Sequence, residues 1–228
     1  MLIRTLKRSL TTTASPSSSS LWMAAWMKDD TKFSSIWNST NSKEERRELA
    51  FATNEHGWNC LHHACVHNLT NSIEKLMDED FGQELAATSV RNGWRPLHYA
   101  SGFGQMAAVD LLLRDGDADL EVLNDKSFAC MGWTPFHRAA RWWLSPGKPN
   151  CIAHLLRIGV IADAKAADGK TAAHIVNPEV HLAFKEILEK HLKTDPEENG
   201  DSVERLRVEL DTVISDWAGT GIRKTRNS

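Results

Sequence analysis

The sequence predicts an all-α protein, a solenoid of about four stacked helix-turn-helix units with helical flanks. One hexamer pattern recurs four times in register. The copies are Gly57-Trp58-Asn59-Cys60-Leu61-His62, Gly93-Trp94-Arg95-Pro96-Leu97-His98, Gly132-Trp133-Thr134-Pro135-Phe136-His137 and Gly169-Lys170-Thr171-Ala172-Ala173-His174. Their glycines stand 36, 39 and 37 residues apart. Self-similarity at such a period marks a stacked repeat architecture. Apolar residues spaced three and four apart follow the copies, the period of one helix face. No apolar run approaches the ~20 residues that a membrane span needs.

Each unit follows from local chemistry. The glycine suits a turn position with positive φ. Thr134 is a good N-cap, and Pro135 then takes the first helical position, where its missing N–H costs nothing. Small residues follow the first three histidines: Ala64-Cys65, Ala100-Ser101 and Ala139-Ala140. In the second copy the first helix ends near Gly102-Phe103-Gly104, where glycine supplies a left-handed terminus. A second helix carries Met106, Val109, Leu112 and Leu113 and stops at Gly116. The third copy repeats this with Ile152, Leu155 and Leu156, ending at Gly159, and the first has Ile73, Leu76 and Met77. One such helix pair is too small to bury its apolar face alone, whereas stacked neighbours bury it jointly. The units lie near residues 54–82, 90–120, 130–163 and 166–192, in a repeat domain of residues 51–192.

The pattern Gly-x-Thr-Pro-Leu-His-x-Ala, best seen in Gly93–Asp119 and Gly132–Val160, resembles the ankyrin repeat. That resemblance implies an ankyrin solenoid of L-shaped units, each a β-hairpin-like finger followed by two antiparallel helices. It also implies that the motif histidines hydrogen-bond between repeats, and that fingers and first helices form a concave surface that binds proteins. The units here exceed the family's usual length of about 33 residues. The extra residues fall at Asp78–Ser89, Leu120–Met131 and Trp142–Asn150, and such insertions are expected in surface loops, often on the binding side. Copy one has Asn59-Cys60 in place of Thr-Pro. In copy four Pro178 shortens the first helix, and a helix around His181–Leu192 closes the domain.

Flanking segments read as follows. Residues 1–28 contain no acid, four bases and ten Ser or Thr, the composition of either a transit peptide or a Ser-rich disordered tail. Residues 21–50 form a helical N-terminal cap, with Leu21–Met27, Phe33, Ile36 and Trp37 apolar and Ser42–Phe51 a second helix. Residues 193–201, with Pro196 and Gly200, read as a linker. Residues 202–218 form an amphipathic helix whose stripe is Val203, Leu206, Leu210, Val213 and Trp217. That stripe either caps the last repeat or meets a partner. Residues 219–228 read as a tail.

Candidate partner-binding residues are the aromatics and arginines of the fingers and first helices. Trp58, Trp94 and Trp133 share one repeat position and would line up beside the fingers, either as a hot-spot platform or as packing between fingers. Trp142 and Trp143 are adjacent and cannot both face inward on one helix, so at least one is a candidate for exposure. Arg95, Arg138 and Arg141 are their polar neighbours. The structural set is Gly57, His62, Gly93, Pro96, His98, Gly132, Thr134, Pro135, His137, Gly169, Thr171 and His174. Four equivalent histidines point to structure, because a catalytic histidine needs a unique setting. Cys60-Leu61-His62-His63-Ala64-Cys65-Val66-His67 has the look of a metal site, but the register assigns Cys60, His62 and Cys65 to structural slots, and two histidines four apart rarely suffice.

Composition bounds the function. The chain has 228 residues, 41% hydrophobic and 25% charged, with a formal net charge of −3. Residues 54–125 hold 12 acids and 4 bases, whereas residues 126–193 hold 10 bases and 5 acids. Four cysteines without framework spacing suggest reduced thiols. Gly102-x-Gly104 lacks the third glycine of a dinucleotide fingerprint, and no phosphate loop or Gly-x-Ser-x-Gly elbow is present. Basic residues are not clustered with aromatics into a nucleic-acid surface. The expectation is a non-catalytic adaptor, scaffold or regulatory subunit with a protein or peptide partner, no cofactor, no metal and no nucleic acid. The expected compartment is the cytoplasm, or an organelle if residues 1–28 direct import. The alternatives are an organelle-imported assembly factor, in the second case, and, independently of import, the non-catalytic subunit of an enzyme complex. The register places Leu97 between helices. Leu97→Ala is expected to cost about 2–5 kcal/mol in a urea melt, and an unmoved melt would refute the register.

Overall fold

A computed structural model describes residues 20–114, 123–124, 126, 131–144 and 150–224, except for the side chains of residues 196–198 and 219–224. Helices α1 (Leu21–Trp26), α2 (Asp30–Ser39) and α3 (Lys43–Phe51) precede the first repeat. Repeat one is α4 (Cys60–His67) and α5 (Thr70–Met77), followed by a short α6 (Gly82–Ala86). Repeat two is α7 (Pro96–Gly102) and α8 (Met106–Leu112), and repeat three is α9 (Pro135–Trp142) and α10 (Ile152–Arg157). Repeat four is α11 (Ala172–Ile175), a 3₁₀ turn (Pro178–Val180) and α12 (His181–Thr194), and α13 (Pro196–Lys224) follows. Helices α1, α4, α7, α9 and α11 pack in succession as one row, and α2, α5 and α8 pack behind them. One continuous apolar cluster runs from Leu21 to Leu210, with Leu97 inside it.

The hairpin-like fingers are tight turns, and no strand occurs among the described residues. Each closes two backbone bonds on the residue that opens it: Asn54 N–H donates to the Trp58 carbonyl (2.9 Å) and its carbonyl accepts from Gly57 (3.0 Å), as Val90 does with Trp94 (3.1 Å) and Gly93 (2.8 Å) and Ala166 with Lys170 (2.8 Å) and Gly169 (3.0 Å). These are the bonds of a turn, not of a strand ladder. At the tips Gly57, Gly93 and Gly169 have φ of 82°, 78° and 80°, which other residues rarely adopt.

The N-terminal flank is a further helix pair in the array, with α1 packed on α4 and α2 on α5. Leu21, Ala24 and Ala25 occupy the places of Leu61, Ala64 and Cys65, 40 residues later. Phe33, Ile36 and Trp37 likewise match Ile73, Leu76 and Met77. Between its helices Lys28 is left-handed (φ 61°), as Asn68 is in repeat one (φ 56°). Helix α2 is tied to α5 through Asp30, which accepts from Asn71 (2.8 Å) and from Ser72.

The insertion at Asp78–Ser89 is not the surface loop its length suggested. It contains α6, and Phe81 and Leu85 are buried. Gly82 turns the chain back so tightly that a Cβ there would lie 2.8 Å from the Met77 carbonyl oxygen. Helix α3 packs over the same region, with Lys43–Asp80 (2.6 Å), Arg46–Glu79 (3.0 Å) and Arg47–Glu84 (2.5 Å) pairs. Most of these groups are well exposed, so their contribution is modest. The Leu120–Met131 insertion and Gly116 fall almost wholly outside the described residues, as do residues 145–149 of the third insertion.

At the far end the expected linker is largely helical. Helix α12 runs to Thr194, and α13 begins at Pro196 with one break at Asn199 (φ −152°, ψ 20°). Asn199 holds this corner. Its Nδ2 donates to the Leu156 and Val160 carbonyls (3.0 Å each), and its Oδ1 accepts from His191 Nε2 (2.7 Å). Beyond it Val203, Leu206 and Leu210 are buried against the last repeat, whereas Trp217 is exposed. Asn199→Ala removes three hydrogen bonds and leaves two buried-side carbonyls short of a donor. It is expected to cost about 2–4 kcal/mol and to speed amide exchange in residues 203–210 before exchange in repeats one and two. Unchanged exchange there would show that the corner does not anchor α13.

A candidate interaction groove on the concave face

Two repeat positions build this face, the residue after the motif glycine and the residue after the motif histidine. The histidines fix their geometry. In repeat three His137 Nδ1 accepts from the Thr134 N–H (3.2 Å), and its Nε2 donates to the Lys170 carbonyl of the next finger (3.3 Å). In repeat two His98 Nδ1 accepts from the Arg95 N–H (3.3 Å), and Nε2 donates to the Trp133 carbonyl (3.0 Å). Each ring is therefore neutral and ties its helix to the following finger. Repeat one differs because Asn59 replaces threonine. The Asn59 amide oxygen lies 2.7 Å from His62 Nδ1, and the ring reaches toward the Trp94 backbone of the next finger. In repeat four no further finger follows, and Glu209 of α13 steps in, accepting from Thr171 Oγ1 (2.6 Å) beside His174.

With the histidines fixed, the next residues His63, Tyr99 and Arg138 line up across the array. Trp58 interleaves between the first two of them and Trp94 between the last two. Trp58 lies 5.0 Å from His63 and 4.2 Å from Tyr99, centroid to centroid. Trp94 lies 5.8 Å from Tyr99 and 5.7 Å from Trp142. The Arg138 guanidinium sits among three rings, 3.4 Å from Trp94, 4.3 Å from Trp142 and 4.4 Å from Tyr99. Its stem rests on Gly102, where a Cβ would meet Arg138 at 2.8 Å. Trp58, Trp94, Tyr99, Arg138 and Trp142 line a groove of about 480 Å³, whose walls also include His56, Val90, Arg91, Asn92 and Phe103.

Of the predicted partner-binding residues the structure brings together Trp58, Trp94, Arg138 and Trp142. Trp58 and Trp94 are half-buried and share Tyr99 between them, so the row alternates and is not a ladder of tryptophans. Trp133 is half-buried and takes no part in the groove lining. Arg95 caps α7, and Arg141 is exposed on α9 away from the lining. Trp143 is a correction: it is 3% exposed and packs in the core, because the chain leaves helical geometry there. Arg138 lines the groove as its floor, with a side chain 2% exposed. Tyr99 and Phe103 are groove residues that the sequence reading did not single out. The signal was present for Tyr99, which follows a motif histidine as Arg138 does.

Burial depresses the imidazole pKa values, to about 3 at His62 and about 4 at His63, His98 and His137. Among the described residues no group of three or more His, Cys, Asp or Glu is placed to hold a metal ion. No described helix is long and apolar enough to cross a membrane.

A family model described as ankyrin repeats (3 copies) matches residues 37–124 and 83–168. The match spans more than half of the chain, and the chain belongs to the ankyrin-repeat family. Ankyrin repeats are in general protein–protein interaction modules, and proteins built from them are typically non-catalytic. No curated protein matches the chain.

Two predictions follow from this geometry. The unfolded chain takes up protons at its histidines near pH 6.5, but the folded chain keeps His98 and His137 neutral down to about 4. Stability is therefore full above about pH 6.5 and falls between there and pH 4. Urea midpoints at pH 7.5, 5.5 and 4.5 should decrease in that order, and a flat series would mean the rings are charged in the folded state. Gly102→Ala should displace Arg138 from its rings and cost about 1–3 kcal/mol, read as a lower melting temperature with altered near-ultraviolet tryptophan dichroism.

Proposed function

We propose that this chain is a non-catalytic adaptor, scaffold or regulatory subunit that grips a protein partner in the groove between Trp58 and Trp142. The observation that supports it is a concave row of large, partly open rings on a rigid array. Trp142 is 39% exposed and Phe103 43% exposed, and both line the groove. Aromatic groups of this kind carry most of the energy of protein interfaces. A preformed surface also loses little conformational entropy on binding. The fingers and first helices that present the groove are the elements through which the array can meet a partner without disturbing its stack.

The test is affinity capture from the native cell, with the wild-type chain beside Trp142→Ala and Phe103→Ala. Both side chains are open enough to truncate without emptying the core, and Trp143 is left intact for the opposite reason. Each change should weaken capture of the wild-type partner by at least about 2 kcal/mol, roughly thirtyfold in Kd. Helicity should hold in both, and Phe103→Ala, which leaves the rings around Arg138 in place, should keep its melting temperature. Equal capture by both variants would move the partner site off the groove.

A further inference from the structure

The groove continues along the array beyond its own lining. Phe103 and Trp142 stand five residues after the motif histidines His98 and His137, where their first helices end. The same position is His67 in repeat one and, by the match of α1 to α4, Met27 in the pair before it. Because α1, α4, α7 and α9 pack in succession, these four side chains form one column across the array. Met27, Phe103 and Trp142 are exposed, and His67 is half-buried. Trp26 precedes Met27, Met106 opens α8 soon after Phe103, and Leu144 follows Trp142, and all three are exposed as well. Exposed apolar side chains gathered in one band, not scattered singly, mark an interaction surface. The band is continuous with the groove, since Phe103 and Trp142 belong to both.

Dimensions select the occupant. The groove has a wall of finger residues, Trp58, Val90, Arg91 and Trp94, and a floor from the first helices, Tyr99, Phe103 and Trp142. Helices α4, α7 and α9 have 8, 7 and 8 residues. The floor is therefore about 10–12 Å deep from finger to band, the width of one α-helix with its side chains. An extended strand takes up only about 5 Å in the plane of a sheet. It would sit in the angle between finger and floor and leave the band bare. Along the array, packed helices stand about 8–10 Å apart, and a helix rises about 10.5 Å in seven residues. A helix laid across the floor thus brings a fresh pair of turns to each unit. Met27 and Met106 suit such a face, because a flexible thioether adapts to the side chains it meets.

We infer that band and groove together receive an amphipathic α-helix of a protein partner, lying across the first helices from Met27 to Trp142. This rests on the groove being the partner site. Three steps between units span about 24–30 Å, so the bound helix has about 16–20 residues. Its apolar face lies on the band and the rings, the manner in which helices dock into grooves elsewhere. The probe is a phage-displayed library on a 21-residue helical scaffold, randomised on its apolar face and selected on the full chain. A second library of 12-residue peptides carries proline at every third position, which forbids a helix. Synthetic winners are titrated against wild type, Phe103→Ala, Trp142→Ala and Met27→Glu. Met27 is 62% exposed and lies outside the groove lining, so its change spares both core and groove. The helical library should yield binders that each of the three changes weakens about tenfold, and that a proline in the middle heptad abolishes.

Winners from the proline library alone, weakened by Phe103→Ala and Trp142→Ala, would overturn the helix and leave the groove as the partner site. Helical winners that Met27→Glu leaves unchanged would likewise confine the partner to the groove and overturn the band. Winners indifferent to Phe103→Ala and Trp142→Ala, or none from either library, would count against both readings. Two other occupants have their own signatures. A dimer of the full chain that Met27→Glu dissociates would assign the band to a second copy. Winners that bind only after Leu6 and Leu10 are changed to Glu would assign it to the chain's own N-terminal segment. Either result would overturn the partner helix.

Discussion

Short helices set the terms of this fold. From α1 to α11 none exceeds 10 residues, the length of α2, and helices so short do not persist alone in water. Each must find its apolar partner in the neighbouring pair, so stability resides in the seams between units. The histidines make those seams specific. A neutral ring that accepts from its own helix cap and donates to the next finger couples turn, helix and neighbour through one side chain. The same requirement explains both ends. Helices α1 and α2 cover one side of repeat one, and α13 packs on repeat four, where Glu209 accepts from Thr171 Oγ1 (2.6 Å).

The array leaves one column of residues free of this duty. The position after the motif histidine is His63 in repeat one, Tyr99 in repeat two and Arg138 in repeat three, with Ile175 in the fourth. Nothing in the stacking asks for those identities. They nevertheless stand side by side, so a change at each repeat alters one stretch of the concave face. The groove is written in that column and in the tryptophans that interleave with it. An arginine fully enclosed by rings is an unusual use of such a place, since burying a cation needs compensation that an apolar residue would not require.

Much of this was legible in the residues. The four hexamers gave the register, the helix pairs and the structural roles of Gly57, Gly93, Gly132 and Gly169. The first helix pair was not recognised as part of the array, because it lacks glycine and histidine. Its trace survives only as Leu21, Ala24 and Ala25 matching Leu61, Ala64 and Cys65. The groove was half legible. Shared repeat positions identified Trp58 and Trp94, but which of Trp142 and Trp143 turns outward depends on where α9 ends, which no local signal sets. Arg138 was legible as a polar neighbour of the tryptophans, but not as a buried group. Its burial depends on Gly102, Trp94 and Tyr99 from another repeat, a coincidence visible only in three dimensions.

The described cysteines draw one more consequence from close stacking. Cys60, Cys65 and Cys151 are all fully buried. Burial pushes their thiols upward, to about 12 at Cys60 and Cys151. Such sulfurs stay protonated and out of reach, so oxidants and alkylating reagents act on them only when a unit opens. Two report on repeat one and one on repeat three. The native chain thus carries its own clocks for the local breathing of its two halves, set into the packing without any label having been added.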